Sequence, residues 1–354
     1  MNSSAPTQRL EWVDQAKGFG MICVVYGHLL PKTPDVNVVY AFHIPLFFFL
    51  SGFVSNFDKY QSLGAFARQR LHSLLIPYLS IGLLAYVYGQ LLLTIGHGRL
   101  VAESPWQPLI GLLLGIRRTS NFNGTLWFLM CLFIAECMSY LLRRAERRFQ
   151  AVPWVATCAI FGLGCFYNQS TKAPFFFSAD AAAMALVFLQ LGMLYRKHQP
   201  KIEKLETYKA YWLVLLLLFA IGFVGNPEHV DMYDSTYGNY LWFLVTAVTG
   251  IHLVIIVAKN FFHFSLLNYI GKNTLGILCF HKWLVIGLVN AALAALQWHC
   301  VTSNVMLVRL DAVIRMALVL LITCALCEVL TRYVPFVLGK RKKAPAGCSR
   351  PAGS

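Results

Sequence analysis

A chain of 354 residues with 58% hydrophobic and only 13% charged residues cannot clothe a water-soluble core of its size, because soluble domains carry roughly 25% charged residues. Lipid is the solvent that suits this composition. The net charge of +15 calls for no nucleic-acid partner, since the basic residues recur loop by loop and form no single stripe.

Apolar runs that approach the roughly 20 residues needed to cross a hydrocarbon core are predicted at 12–31, 40–57, 74–96, 124–142, 152–169, 176–195, 211–225, 240–259, 274–295 and 310–331. They make the fold class all-α, a polytopic integral membrane protein of about ten transmembrane helices. The run from Trp106 to Ile116 is too short to span and is expected to be interfacial or re-entrant. Residues 1–335 read as one transmembrane domain and residues 336–354 as a basic cytoplasmic tail without fixed structure. Arg9 ahead of an apolar stretch imitates a signal peptide, but Asp14 and Lys17 interrupt it, so the segment is expected to stay as the first helix.

Lys and Arg concentrate on the cytoplasmic side of membrane proteins. With both termini cytoplasmic, the inner segments hold 22 of the 30 basic residues, including Arg68 and Arg70, the Arg143–Arg148 group and the tail from Arg332 to Arg350. The outer segments hold six: Lys32, Arg99, Arg117, Arg118, Lys172 and Arg309. The outer segment from Asn226 to Asn239 carries Glu228, Asp231 and Asp234 with no Lys or Arg. The ten cysteines sit mainly in apolar helices, where small buried residues belong. Cys324-x-x-Cys327 lies inside a predicted span and is expected to bind neither metal nor redox partner.

The first helix carries the most informative pattern. At about 100° per residue, Asp14, Lys17, Met21, Val25 and His28 fall within an arc of about 60° on an otherwise apolar or small-residue helix. Ionisable groups inside a span usually face a bundle interior or a watery cavity. Lys17 and His28 stand about 16 Å apart along the axis at 1.5 Å per residue. Lys17 is thus near the inner boundary and His28 in the outer half. Histidine is the side chain best able to take and return a proton near neutral pH; the plainer reading is a His bonded to a neighbouring helix. The segment Ala41–Ser55, AFHIPLFFFLSGFVS, begins the second span with His43 and Pro45. A short connection brings His43 to the same side as His28, where the two could share proton handling.

These residues resemble the membrane acyltransferase-3 family, whose members O-acetylate sugars of bacterial surface polysaccharides and related glycans. The resemblance rests on W-x-D-x-x-K-G at Trp12–Gly18, G-H at Gly27–His28 and F-H-x-P-L-F-F-F-x-S-G at Phe42–Gly52. Weaker matches are L-L-I-P-Y at Leu74–Tyr78, L-W-F-L at Leu126–Leu129 and YIGKNTLGILCFH at Tyr269–His281. It covers nearly the whole chain. It implies a transmembrane O-acyltransferase that takes an acetyl group from acetyl-CoA and holds no resident cofactor or metal. Its acceptor would be a glycan or lipid-linked sugar at the outer face, and its place the bacterial inner membrane, as a multi-pass protein in contact with lipid. By the same resemblance His28, in a pattern with Lys17, is the essential catalytic histidine; as general base it is expected to be oriented or kept neutral by Lys17 and Asp14, with His43 assisting in the same cavity. The family's R-x-x-R pattern, linked to acyl-CoA, becomes Arg70-x-x-Ser73 here, so that role passes to Arg70 and its neighbour Arg68.

Other embedded polar residues are candidates from the residues themselves. Glu136 needs a partner or a proton in lipid, and Lys17 is at comparable depth. His281, beside Lys282, can line the site. Trp127 fits an interfacial aromatic belt as well as the family's L-W-F-L. Arg117 and Arg118 break the charge rule and suit either an interfacial role or contact with an anionic glycan. Asp311 and Arg315, spaced i, i+4, are expected to pair. The rival reading is a transporter or exporter of a glycan or acylated precursor.

Overall fold

The computed structural model describes residues 10–95, 104–119, 123–171, 173–298 and 304–340. Arg9, Arg99, Lys172 and the basic residues 341–343 and 350 lie outside them. The chain is all-α. It runs through α1 (Glu11–Leu29), α2 (Pro34–Tyr40), α3 (His43–Val54), α4 (Leu63–Arg70) and α5 (Ile76–Thr94). Next come the short α6 (Gln107–Leu113), then α7 (Trp127–Glu146), α8 (Val152–Ser170), α9 (Ala179–Glu206) and α10 (Lys209–Gly225). The last are α11 (Tyr240–Asn260), α12 (Ser265–Lys272), α13 (Thr274–Phe280), α14 (Gly287–Ala295) and α15 (Val305–Tyr333).

Among the described residues, seven helical segments are long and apolar enough to cross a membrane: Pro34–Val54, Leu63–Thr94, Gly124–Glu146, Phe176–Glu206, Tyr240–Asn260, Thr274–Ala295 and Val305–Tyr333. The other three predicted spans coincide with α1, α8 and the 17-residue α10. Their outward faces are apolar: Val87, Leu163, Phe166, Val224, Leu241 and Leu321 are all exposed, a surface that only lipid tolerates over such an area. The protein is a polytopic membrane protein. Helix starts follow local chemistry, with Pro in the first turn of α2, α5, α6 and α8 and the Asn239 side chain accepting from the Leu241 and Trp242 amides, which satisfies orphan donors. The run 106–116 holds only the seven-residue α6, as its length requires.

Charged residues pair within two separate groups, one at each end of the bundle. Asp58 meets Arg143 at 3.0 Å and Arg147 at 2.7 Å, and Glu146 meets Lys197 at 3.8 Å. At the other end Asp35 meets Arg309 at 2.9 Å. The first group lies on the face where most Lys and Arg gather, called the basic face below. Asp311 and Arg315 pair at 2.6 Å as expected. The folded domain extends past residue 335: Pro335–Leu338 forms a 3-10 turn with Leu338 buried, and Lys340 donates to Thr331 at 3.0 Å. The apolar Pro335–Leu338 turn packs against α5.

Four glycines set how closely the central helices approach. A Cβ on Gly52 would lie 2.0 Å from the Leu189 carbonyl oxygen, and one on Gly192 2.0 Å from that of Phe49, so α3 and α9 touch backbone to backbone. A Cβ on Gly18 would lie 2.1 Å from the Leu267 oxygen and one on Gly271 1.7 Å from that of Asp14, which joins α1 to α12 in the same way. Small residues at such crossings are how helices pack in lipid; the alanine run Ala181–Ala183, all buried, serves the same end on α9. Gly52→Ala is therefore expected to cost about 1–3 kcal/mol or more through overpacking. Gly162→Ala, with nothing within 4 Å of the new carbon, should leave the melting temperature of detergent-purified protein where it was.

Candidate active site

Two cavities lie one above the other between α1, α3, α7 and α13. The one nearer the basic face, about 120 Å³, is mostly apolar and has Lys17, Ser51 and Thr274 as its polar residues. The one on the opposite side, about 190 Å³, is polar and lined by His28, Tyr40, His43, Thr125, Trp127, Asp231, Tyr233, Asp234 and Lys282. Lys17, Met21, Val24 and His28, spaced by three and four residues, form the stripe of α1 that lines the pair. Val24 occupies the place the helical wheel gave to Val25, which lies in the core.

His28 and His43 thus face one chamber, from α1 and from the first turn of α3. His43 Nδ1 donates to the Val39 carbonyl at 2.8 Å, because Ala41 and Phe42 break the helix between Val39 and Leu46. A carbonyl can only accept, so Nε2 keeps the lone pair, the usual way of fixing a histidine tautomer. Among the described residues His28 makes no ring hydrogen bond; its ring stacks on His281 with centroids 5.3 Å apart. His281 Nδ1 donates to Ile277 at 2.8 Å and Leu278 at 3.1 Å, and its buried Nε2 has no hydrogen-bond partner among the described residues. Gly27 gives room for the wall: a Cβ there would meet the Tyr40 ring at 2.6 Å.

The helix carrying His281 is interrupted at the site. Residues His281–Ile286 are π-helical between α13 and α14, and such turns recur at functional sites. The freed carbonyls are taken by side chains. Thr125 donates to Leu278 at 2.9 Å, Asn123 to Cys279 at 3.1 Å and Trp283 to Cys279 at 2.6 Å. The stretch Asn123–Trp127 therefore clamps α13 and at the same time contributes Thr125 and Trp127 to the chamber wall. Trp127 forms part of this wall.

The roof is the segment 226–239. Asp231 and Thr236 exchange backbone hydrogen bonds of 2.8 and 2.9 Å, and Asn226 bonds Tyr237 and Asn239. Arg117 pins it from below. Its guanidinium bonds Asp180 at 2.8 and 2.6 Å, the Tyr233 carbonyl at 2.9 Å and Ser235 Oγ at 2.5 Å, with the Trp127 ring at 5.7 Å. Four of the five guanidinium N–H groups of Arg117 are thereby engaged and the residue is buried, which commits it to holding the roof; the bidentate fork to Asp180 explains why an Arg stands there. Arg118 binds Asp234 through both side chain and carbonyl. Burial, then the neighbouring Asp234, lifts the Asp231 carboxyl above the ordinary carboxylate range.

The remaining candidates lie elsewhere. Lys17 is in the cavity near the basic face and does not reach His28, and Asp14 is buried at the α1–α12 seam, where Gly271 meets its backbone. About 16 Å of helix separates Lys17 from the histidine, so neither Lys17 nor Asp14 orients it by contact. Glu136 is buried and its carboxylate lies 2.8 Å from Arg70 Nε, with the N–H not aimed at the oxygen. The pairing draws Arg70 toward the bundle, whereas Arg68 is exposed. Asp231, Asp234, Tyr233, Tyr40 and Thr125 were not singled out as site residues from sequence, although the acidic outer segment without Lys or Arg was the available signal.

An acyltransferase-3 family model, described as an acyltransferase domain, matches residues 10–332. No curated protein and no solved structure matches the chain. Removing one partner of a buried ion pair costs about 3–5 kcal/mol. Asp180→Ala should therefore lower the melting temperature and expose the 226–239 segment to limited proteolysis, while Arg118→Ala, at the exposed pair, changes stability by less than about 1 kcal/mol.

Proposed function

Since the chain belongs to the acyltransferase-3 family and is a membrane acyltransferase, we propose that it moves an acetyl group from acetyl-CoA, bound at the basic, cytoplasmic face, to a hydroxyl of a glycan or lipid-linked sugar. The sugar enters from the opposite face of a bacterial inner membrane. The observation that carries this reading is the arrangement of the chambers: His28 and His43 open into one, and Lys17 into the other, directly beneath it.

In the proposed reaction a sugar hydroxyl lies within about 3 Å of a His28 ring nitrogen, hydrogen-bond reach for a general base. As the hydroxyl oxygen bonds to the thioester carbonyl carbon, its proton passes to His28. The tetrahedral intermediate then collapses, the C–S bond breaks with its electron pair on sulfur, and the His28 imidazolium returns the proton to that sulfur. The products are the ester and free CoA thiol. His43, its tautomer fixed by Val39, presents a second acceptor nitrogen that orients the hydroxyl. Lys282, in the same chamber, opposes the negative charge that grows on the carbonyl oxygen. At the other end the exposed Arg68 suits the phosphates of CoA, and Arg70 is held by Glu136.

The test is transfer of radiolabel from acetyl-CoA to a panel of glycans by the purified protein in nanodiscs. His28→Ala should lower turnover by about 10²–10⁴-fold, the usual worth of general acid–base catalysis, with the melting temperature retained. Transfer undiminished in His28→Ala overturns the mechanism. Glycan movement into vesicles without label transfer would support the transporter instead.

A further inference from the structure

Val24 of α1, Ile44 of α3, Phe128 of α7 and Leu278 of α13 line both cavities. One side chain from each of four helices thus forms the septum between the chambers, and all four are apolar. Resting on the acyl-CoA reading above, we propose that this septum is the enzyme's acyl-length filter, which admits the acetyl group to His28 and rejects longer chains.

The geometry sets the requirement. CoA reaching up from the basic face has Lys17 at the start of its path and His28 beyond the four side chains. The acyl group is the leading end of the molecule, so the thioester carbonyl meets the hydroxyl at or just past the septum. Every carbon beyond the carbonyl then occupies the chamber of about 190 Å³ that the acceptor also needs. Extra methylenes that turned back would meet Met21, Phe47 and Leu129, which line the lower chamber that the arm has to fill.

The septum is stiff. Phe128 is wedged between the rings of Phe48 at 4.8 Å and Phe47 at 6.0 Å. Leu278 stands on a carbonyl that Thr125 and His281 both hold. Val24 and Ile44 are β-branched residues within helices, with a single strongly preferred rotamer each. A close-packed wall of this kind does not widen on demand, and one methylene misfitted in such a pocket changes discrimination by about 10–200-fold.

The experiment compares acetyl-, propionyl- and butyryl-CoA as donors to whichever acceptor the wild-type protein labels. Wild type should lose about 10-fold or more per added methylene. Val24→Ala and the milder Ile44→Val should each raise the butyryl-to-acetyl ratio of kcat/KM by about 10-fold or more. Val319→Ala, a buried change on α15 away from both cavities, should leave the ratio as it is. Equal use of butyryl- and acetyl-CoA by wild type overturns the filter, as does an unchanged ratio in Val24→Ala and Ile44→Val variants that still turn over acetyl-CoA. Should Val24→Ala fail to fold, Ile44→Val and the narrowing change Val24→Ile, expected to slow acetyl transfer itself, decide the matter. Failure of the acyltransferase reading looks different: no acyl-CoA of any length is then consumed, and His28→Ala matches wild type.

Discussion

At Gly52 and Gly192 the backbones of α3 and α9 come so close that a single added carbon on either would collide with a carbonyl oxygen. Gly18 and Gly271 bring α1 and α12 together in the same way. Lipid offers no hydrophobic gain for helix association, so contact area at small residues has to supply it. These two seams hold the helices that carry His28 and His43. The chamber between the histidines exists because α1 and α3 are fixed from their far sides, leaving their near sides separated by side chains alone.

The polar groups of the chamber depend on a second set of constraints, the satisfaction of broken helices. Ending α13 at Phe280 and continuing in π-helical form leaves carbonyls without their usual donors, and an unpaired backbone group in lipid costs several kcal/mol. Asn123, Thr125, His281 and Trp283 supply those donors. Of these, Thr125 walls the chamber and His281 stacks on its histidine. His43 repeats the solution at the break between α2 and α3, through Val39. Arg117 does so for the roof, where one guanidinium joins Asp180 to two residues of the 226–239 segment.

Much of the fold was legible from composition and run length, because the bilayer imposes one length on every span. The positions of all ten apolar runs coincide with helices. The depth of His28 followed from helix pitch, and its meeting with His43 from a short connection. Contacts across helices were not legible. Nothing in the order of residues said that Arg70 would reach Glu136, or that Arg117 would turn inward to Asp180, 63 positions away. The motif glycines were visible as letters, but their meaning is a distance between backbones. Asp231 and Asp234 were visible as an acidic segment without Lys or Arg; that the segment folds back as a roof depends on Arg117 and Asn226, far from it in sequence or on its edge.

The septum also bears on the choice between moving a sugar and moving an acyl group. A carrier would have to pass a ring of polar hydroxyls between Val24, Ile44, Phe128 and Leu278, stripping their water with no partner offered in return, which costs several kcal/mol per group. It would also need the four helices to part, against aromatic stacking at Phe128 and the glycine seams behind α1 and α3. An acyl group on a thioester asks for neither. It is small and apolar, it leads the molecule that carries it, and it leaves its charged phosphates behind on the basic side. An apolar partition with a histidine on one side and a lysine on the other is costly for transport and well suited to passing a methyl and a carbonyl through an otherwise closed bundle.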